Sequence, residues 1–309
     1  MNKLPILYFH LGYQPYLEFT LAQTRASNPN SRLILLGDRA NRRIAAAEHR
    51  MAEDFFAEAT AFAELYRHRS TNPHTPELRC FQRWYAFLEL MQEENLPEAL
   101  ICDSDIMLFA DFSRRFPEER ETDCALSVPA DQEDFRWCAC PHLAYWKIDA
   151  LRQFCEFNNR IYREDDPRLA EKWRRQRESG QPGGICDMTA LYLFFEGLPR
   201  QRKRNLLEVR QGETIDLNIG SPDNLLREEF LMADGRKKIE FKNGLPRGFH
   251  LPTQETVGFQ ALHCQGGMKW LMPSLYRGTT RLTKARLQVF ARYGLAHRWR
   301  RLRKVVRFG

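Results

Sequence analysis

Short apolar runs alternate with longer segments of mixed polarity through the first half of the chain. The apolar runs predict strands at residues 4–11, 32–36, 100–108 and 124–129. The mixed segments carry apolar residues at helical spacing and predict helices at residues 16–26, 41–67 and 77–95. Because continuously apolar strands are buried on both faces, the pattern predicts a Rossmann-type α/β fold, a mixed, mostly parallel sheet with helices on both faces.

The second half of the chain is more polar and less regular. Residues 158–184 are rich in arginine, glutamate, proline and glycine, a composition typical of a mobile surface segment such as a lid. Asp187 then opens a predicted helix, and its simplest role is to cap that helix. Residues 201–262 contain several short strand patterns and lead directly into His263.

Two aspartates interrupt the apolar run at residues 100–108. Asp103 and Asp105, separated by Ser104, fall at the end of a predicted buried strand, where a carboxylate is costly unless a cation meets it. Hard oxygen ligands at this spacing suit Mg²⁺ or Mn²⁺ carrying a diphosphate. Because an Asp-x-Asp triplet is short, a strand followed by a helix-capping aspartate is the alternative interpretation.

Polar residues also follow the first two predicted strands. His10 and Gly12 come directly after the first strand, and Asp38 comes after the second. Ligands of open α/β sheets bind at the carboxyl ends of strands, so these residues and the acidic pair are expected to share one cleft.

The predicted helix at residues 77–95 is apolar nearly all round, which predicts burial. Arg83 lies on it and therefore needs an anion. A carboxylate of the acidic pair or a ligand phosphate would serve, and an ordinary ion pair with Glu89 or Glu94 is the alternative.

A late motif, His-x-x-Gly-x-x-Lys, begins at the end of a predicted strand and contains His263, Gly266 and Lys269. A neutral imidazole can complete the coordination of a divalent ion that two carboxylates hold. Glycine allows a phosphate close to the backbone, and lysine neutralises its charge. A histidine before a Gly-Gly loop is often structural, but a common metal site would explain both motifs.

The eight cysteines lie mostly in apolar surroundings and predict reduced thiols rather than disulfides. The run Cys138-x-Cys140-x-His142 has some of the residue types of a zinc site. Its spacing differs from the usual Cys-x-x-Cys pair, and no second pair follows, so the sequence does not predict a metal there.

The net charge of +7 comes from one end of the chain. Residues 281–309 hold ten lysines and arginines and no acid, interleaved with apolar residues. A basic amphipathic helix, interrupted near Gly294, would fit an anionic membrane surface, whereas packing on the body with a solvated basic face is the alternative. The acidic remainder disfavours nucleic acid as a partner.

No apolar run approaches the ~18–20 residues that a membrane span needs, and the first nine residues do not form a signal peptide. We therefore expect a cytoplasmic protein, peripheral on the inner face of the membrane if the tail docks there.

Taken together, Asp103-Ser104-Asp105 and His263/Gly266/Lys269 resemble the metal-dependent glycosyltransferases of the GT-A fold, especially a group related to family 8. The resemblance covers roughly residues 4–275. It implies a GT-A-like catalytic domain at residues 1–280, with a nucleotide-binding half (1–130) and an acceptor half (131–280) that supplies the metal-completing histidine. The tail at residues 281–309 follows.

The resemblance also implies roles for individual residues. Asp103, Asp105 and His263 would bind Mn²⁺ or Mg²⁺, and Gly266 and Lys269 would hold the diphosphate. Arg83 and Asp187 would be the catalytic residues, near the donor sugar and the acceptor. The remaining donor-binding residues would be His10, Gly12, Asp38 and Ser104. The chain departs from the family at Cys186-Asp187-Met188-Thr189, where many members have an Asn-x-Gln-Asp-type signature.

The expected reaction moves a sugar from a nucleoside-diphosphate donor, a UDP-sugar first, to a glycan or lipid-linked acceptor, with retention favoured over inversion. Two alternatives remain open. A sugar nucleotidyltransferase shares the architecture, although residues 8–20 lack its glycine-rich phosphate loop. A noncatalytic membrane-associated scaffold would need neither motif.

Overall fold

A computed structural model describes residues 3–116 and 119–295 of the chain. Its strands, in chain order, are β1 (Ile6–Phe9), β2 (Leu33–Gly37), β3 (Glu48–Met51), β4 (Glu98–Cys102), β5 (Ile106–Leu108), β6 (Cys124–Ser127), β7 (Cys140–Lys147), β8 (Lys203–Asn205), β9 (Glu213–Ile215), β10 (Met232–Ala233), β11 (Arg236–Lys237), β12 (Glu240–Lys242), β13 (Leu245–His250) and β14 (Glu255–His263). Its α-helices are α1 (Pro15–Ser27), α2 (Ala57–Leu65), α3 (His74–Glu93), α4 (Phe112–Arg115), α5 (Ile148–Arg163), α6 (Pro167–Ser179), α7 (Asp187–Gly197), α8 (Met272–Leu275) and α9 (Thr283–Val289).

Seven of these strands form the larger sheet, in the order β3-β2-β1-β4-β7-β6-β8. All neighbours in it are parallel except the two pairs that β7 makes with β4 and β6. The second sheet has the order β12-β13-β14-β5, with β9 parallel to β14. A mixed, mostly parallel sheet is the architecture that the apolar runs predict.

Helices cover both faces of the larger sheet. One face carries Leu7 and Ile101 and packs under α2, α3, α5 and α7. The opposite face carries Tyr8 and Leu100 and packs under α1 and α4. Because successive strand residues point to opposite sides, strands buried on both faces must be apolar throughout. The predicted fold class is therefore confirmed.

Residues 41–67 do not form the single helix that their spacing predicts. Residues 48–51 instead form β3, the parallel edge strand beside β2, and α2 begins only at Ala57. Charges secure this edge, since Glu48 and Glu94 both accept hydrogen bonds from Arg32. Backbone pairing with a distant strand is a tertiary gain that helical spacing of side chains does not reveal.

Residues 158–184 are also more regular than their polarity predicts. They contain the end of α5 and the whole of α6, whose exposed face is held by ion pairs of Arg174 with Glu171 and Glu178. Such pairs at helical spacing support a helix that buries little apolar surface. The irregular stretches of this segment are the short link at residues 164–166 and the turn after Gly180, where Ser70 forms a β-bridge with Gly184.

The described part of the basic tail lies against the body. Helix α9 packs on α1, and a π-helical segment (Phe290–Gly294) continues it. The hydroxyl of Tyr293 donates a hydrogen bond to Gln14, at 2.7 Å. The rest of the predicted amphipathic tail, residues 296–309, lies outside the described residues. Within the described ranges, no helix combines the length and apolar character needed to cross a membrane.

Candidate functional site

The acidic pair forms the crossing between the two sheets. Strand β4 ends at Cys102 in the larger sheet, and β5 begins at Ile106 in the second. The turn between them is anchored at both ends, since the Asp103 amide donates to the carbonyl of His142 at 2.8 Å and the Cys264 amide donates to the carbonyl of Asp105 at 2.9 Å. The predicted strand ending in two carboxylates is thus found, and a second strand leaves from them.

Parallel pairing places the other predicted residues at the same edge of the sheet. Strand β1 pairs with β2 and β4, so His10 and Asp38 emerge beside Asp103. Nδ1 of His10 lies 2.9 Å from the Ser104 hydroxyl, and the amide of Gly12 donates to Asp38 at 2.6 Å. Gly12 has a φ of +80°, a conformation that glycine adopts without strain.

His263 is the last residue of β14 and lies opposite Ile106 on β5. The side chain is 3 % exposed. Its Nδ1 lies 2.8 Å from the carbonyl oxygen of Leu217, which can only accept, so Nδ1 carries a proton. Nε2 therefore faces Asp105, 3.4 Å from Oδ1. Strand β14, the antiparallel partner of β5, thus brings His263 to the acidic turn, although this residue follows Asp105 by 158 positions along the chain.

Charge pairing between His263 and Asp105 shifts the pKa of each side chain in the direction that favours its ionised form. Burial disfavours protonation of His263, but the hydrogen bond to Asp105 and its negative charge outweigh burial and raise the histidine pKa. Burial likewise opposes ionisation of Asp105, and His263 and Lys269 together hold its pKa well below the usual range. The Asp105 carboxylate is therefore ionised and compensated by cations.

The three predicted metal ligands fit a divalent ion. One ligand atom each from Asp103, Asp105 and His263 lies within 4.8 Å of the others. Two carboxylate oxygens and one imidazole nitrogen form a donor set that suits Mn²⁺ or Mg²⁺. Because Nδ1 of His263 is committed to Leu217, only Nε2 is available to an ion, and it already faces the carboxylates.

Lys269 and Arg83 supply the positive charge around this centre. Nζ of Lys269 lies 2.6 Å from Oδ2 of Asp105, on a 3₁₀ segment (Gly266–Leu271) directly after β14. Arg83, on α3, bridges two carboxylates, Asp103 at 2.5 Å and Asp187 at 2.7 Å. Neither alternative partner pairs with Arg83. Glu94 pairs with Arg32 and Arg50, and Glu89 accepts hydrogen bonds from the backbone amides of Ala57 and Glu58.

Asp187 is the first residue of α7 but does not cap it. Its carboxylate is buried and accepts hydrogen bonds from Arg83 and from the indole of Trp84, the latter at 3.1 Å. Burial raises the pKa of Asp187, and the charge of Arg83 opposes that rise. The interpretation as a helix cap is therefore wrong, and the carboxylate orients the arginine.

Four contacts that support the site could not be singled out from the sequence. The Asp216 carboxylate accepts a hydrogen bond from the backbone amide of His263 at 3.0 Å and pairs at 2.6 Å with Lys237, both side chains being fully buried. The hydroxyl of Thr20 donates to the carbonyl of Ser104 at 2.6 Å. The ring of His142 stacks on that of His263 with centroids 4.5 Å apart.

Comparisons with known proteins identify similar folds. No family model and no curated protein matches the chain. Among solved structures, mouse xyloside xylosyltransferase 1 in its apo form aligns with 66 % of this chain and 84 % of its own, at 10 % identity and a TM-score of 0.48. The galactosyltransferase LgtC, in complex with donor and acceptor sugar analogues, aligns with 62 % of this chain and 70 % of its own, at 15 % identity and 0.37.

The glycosyltransferase GlyE of Streptococcus pneumoniae aligns with 94 % of this chain and 64 % of its own, at 11 % identity and a TM-score of 0.38. All three of these solved structures are named as glycosyltransferases, the class of enzyme that the sequence resembles. Because each of these TM-scores is below 0.5, the function proposed next rests on the geometry of the site.

Proposed function

We propose that the chain is a glycosyltransferase that moves a sugar from a nucleoside-diphosphate donor, a UDP-sugar first among those to test, to a glycan or lipid-linked acceptor. One observation carries the proposal: Asp103 and Asp105, in the turn that joins the two sheets, converge with His263 at the end of β14. Lysine and arginine side chains already pair with both carboxylates there. A diphosphate with a divalent ion is the ligand class that uses both kinds of charge.

Asp103, Asp105 and His263 would hold Mn²⁺ or Mg²⁺. When bound, the ion supplies Lewis-acid stabilisation of the charge that develops on the leaving diphosphate. The protein supplies the rest of the electrostatics. Lys269 would exchange part of its contact with Asp105 for the diphosphate, and its position in the turn directly after His263 keeps it beside the same oxygens.

Arg83 is proposed to contact the donor phosphates or sugar, and Asp187 to position Arg83 rather than to touch the substrate. Asp187 has a side-chain exposure of 4 % and is already bonded to Arg83 and Trp84. His10, Gly12, Asp38 and Ser104 line the donor side of the edge. Nε2 of His10 is buried and has no hydrogen-bond partner among the described residues, which leaves it available to a donor group.

Retention at the anomeric carbon stays a prediction. The buried carboxylate of Asp187, which shares Arg83 with Asp103, is occupied by that arginine, so it is poorly placed to act as a free general base. Proton NMR of the transfer product distinguishes an α from a β linkage. A product with the donor's anomeric configuration is expected, and inversion would overturn this part of the proposal.

Calorimetric titration with UDP, GDP and CDP, each with and without Mn²⁺, tests the proposed function. We expect Mn²⁺-dependent binding of a nucleoside diphosphate, lost in Asp105→Asn and kept in Asp149→Asn, whose carboxylate is 77 % exposed on α5. Binding of none of the three nucleotides would favour a noncatalytic scaffold. Pyrophosphate release from a nucleoside triphosphate and a sugar 1-phosphate would identify a nucleotidyltransferase instead.

We also propose that the protein is cytoplasmic and docks on anionic membranes through residues 281–309. In the described part, Leu287 is 67 % exposed, and Lys284, Arg286 and Arg292 lie around it. Exposed apolar and basic side chains together favour an anionic lipid surface. Sedimentation with anionic vesicles should fall in Leu287→Glu and not in Leu231→Glu, which changes an exposed leucine elsewhere. Equal sedimentation of the two variants would contradict the proposal.

A further inference from the structure

A second set of possible metal ligands lies directly behind the acidic centre. Cys140, His142 and His263 each offer one ligand atom within 4.8 Å of the others, and all three residues are buried. Cys140 and His142 are two residues apart on β7, so their side chains point to the same side of the strand. Cys140 and His142, whose spacing along the chain does not predict a zinc site, therefore gain a third possible ligand, His263, from β14.

His142 is the unexplained member of this group. It is fully buried, and within the described part of the chain neither ring nitrogen has a hydrogen-bond partner, although the backbone of Asp216 lies near the ring. An unsatisfied polar group in the interior costs on the order of 1–3 kcal/mol, so it calls for a partner. A metal ion would be such a partner.

The two sets of ligands share one atom. Since Nδ1 of His263 is bonded to Leu217, Nε2 is the nitrogen that either set must use. On one side of it are the hard oxygens of Asp103 and Asp105, and on the other are a thiol and an imidazole. An ion in one set therefore withdraws His263 from the other.

The His142 ring must turn before these ligands can close around an ion. The rings of His142 and His263 are stacked at an angle of 3°, whereas zinc bonds lie in the plane of each imidazole, at about 2.0–2.1 Å. His142 loses no hydrogen bond when its ring turns.

We propose that Cys140, His142 and His263 bind Zn²⁺, and that zinc bound there inhibits nucleotide binding by removing His263 from the Mn²⁺ or Mg²⁺ site. A thiolate and imidazoles select zinc over the harder ions, which prefer carboxylates. The inhibitory part of this proposal rests on the proposed glycosyltransferase function, whereas the zinc site itself does not.

Cobalt spectroscopy of the full chain tests the site without any substrate. Co²⁺ replaces zinc and gives a thiolate-to-metal charge-transfer band only when a cysteine sulfur is bound. We expect the band in the wild type and in Asp103→Asn, and its loss in Cys140→Ser. Cys138→Ser is the matched control, because its thiol contacts the thioether of Met188 at 3.8 Å instead.

Zinc competition for bound Co²⁺ gives the affinity. Since loss of an outer-shell partner costs about 10–100-fold in metal affinity, loss of a direct ligand in Cys140→Ser or His142→Ala should weaken zinc binding by more than about 100-fold. Absence of the band in the wild type would overturn the proposal, and so would a band that survives in Cys140→Ser or disappears in Cys138→Ser.

The inhibitory step is tested by Mn²⁺-dependent UDP binding at increasing Zn²⁺. We expect zinc to weaken UDP binding in the wild type and to have an effect at least about tenfold smaller in Cys140→Ser, in line with the weaker zinc binding. Equal inhibition of the two would contradict the competition. If none of UDP, GDP and CDP binds, the proposed function fails, while the cobalt band still decides whether the zinc site exists.

Discussion

Removal of the Lys237 ammonium group should lower the free energy of unfolding by disturbing a buried ion pair that supports His263. Nζ of Lys237 donates to Asp216 at 2.6 Å and to the carbonyls of Asn218 and Asp223 at 3.2 and 2.9 Å, so all three of its protons are used. Asp216 in turn holds the backbone amide of His263. Lys237→Met keeps the aliphatic stem and removes the charge.

The expected loss is large because the ion pair is fully buried. Both side chains are 0 % exposed, so Lys237→Met leaves a carboxylate without its counter-ion in the interior. Breaking such a pair by removing one partner costs about 3–5 kcal/mol. A protein of ordinary stability unfolds with about 5–15 kcal/mol, so the loss is easily measured.

Urea unfolding followed by circular dichroism gives the free energy of unfolding of each variant. The matched control is Lys238→Met, at the next position, where the side chain is 53 % exposed and lies 3.6 Å from Glu240. An exposed pair of this kind contributes less than about 1 kcal/mol. The double variant Lys237→Met/Asp216→Asn removes both charges and should recover a large part of the loss.

Two results would refute this reasoning. One is a cost for Lys237→Met no greater than that for Lys238→Met. The other is a double variant as unstable as Lys237→Met alone, which would mean that the unpaired carboxylate is not the source of the loss. Mn²⁺ affinity should also fall in Lys237→Met, because Asp216, which anchors the strand end that presents His263, loses its counter-ion.

Two further predictions concern other parts of the fold. In Arg83→Lys, the ammonium group cannot bridge Asp103 and Asp187 as the planar guanidinium does, so kcat/KM for sugar transfer should fall by about 10–100-fold. The control is Arg79→Lys, at a residue stacked on Phe56, for which kcat/KM should stay within about twofold of the wild type. Equal effects would exclude the bridge as the cause. Gly184→Ala would place Cβ 2.3 Å from a backbone oxygen, at a φ of +153°. Chemical denaturation should show a loss of about 1–3 kcal/mol in the free energy of unfolding. Gly197→Ala is the control, because the space around that residue is open and no loss is expected. A neutral Gly184→Ala would contradict the clash.

The sequence predicts much of the fold because its strongest signals are local. Continuous apolar strands such as β2 and β4 reveal burial on both faces, and the apolar surface of α3 reveals a buried helix. Edge strand β3 was missed because its charged residues pair with Arg32 and Glu94 rather than with a core. Helix α6 was missed because ion pairs along its exposed face, rather than apolar spacing, support it.

Residues that bear unusual chemistry were predictable only where the chain shows them in compact motifs. Asp103 and Asp105 interrupt an apolar run, and His263 ends one, so both signals are visible locally. The partners of Arg83 depend on how α3 packs against α7, and the Lys237–Asp216 pair joins positions 21 residues apart. Such contacts are set by tertiary packing, which the local pattern does not encode.

The account depends most directly on one divalent ion shared by Asp103, Asp105 and His263. Electron paramagnetic resonance of free Mn²⁺ counts the bound ions in the presence of UDP. The account predicts one Mn²⁺ per chain in the wild type and in Asp149→Asn, and its loss in Asp105→Asn and His263→Ala alike. Mn²⁺ binding by His263→Ala with unchanged stoichiometry and affinity would contradict it.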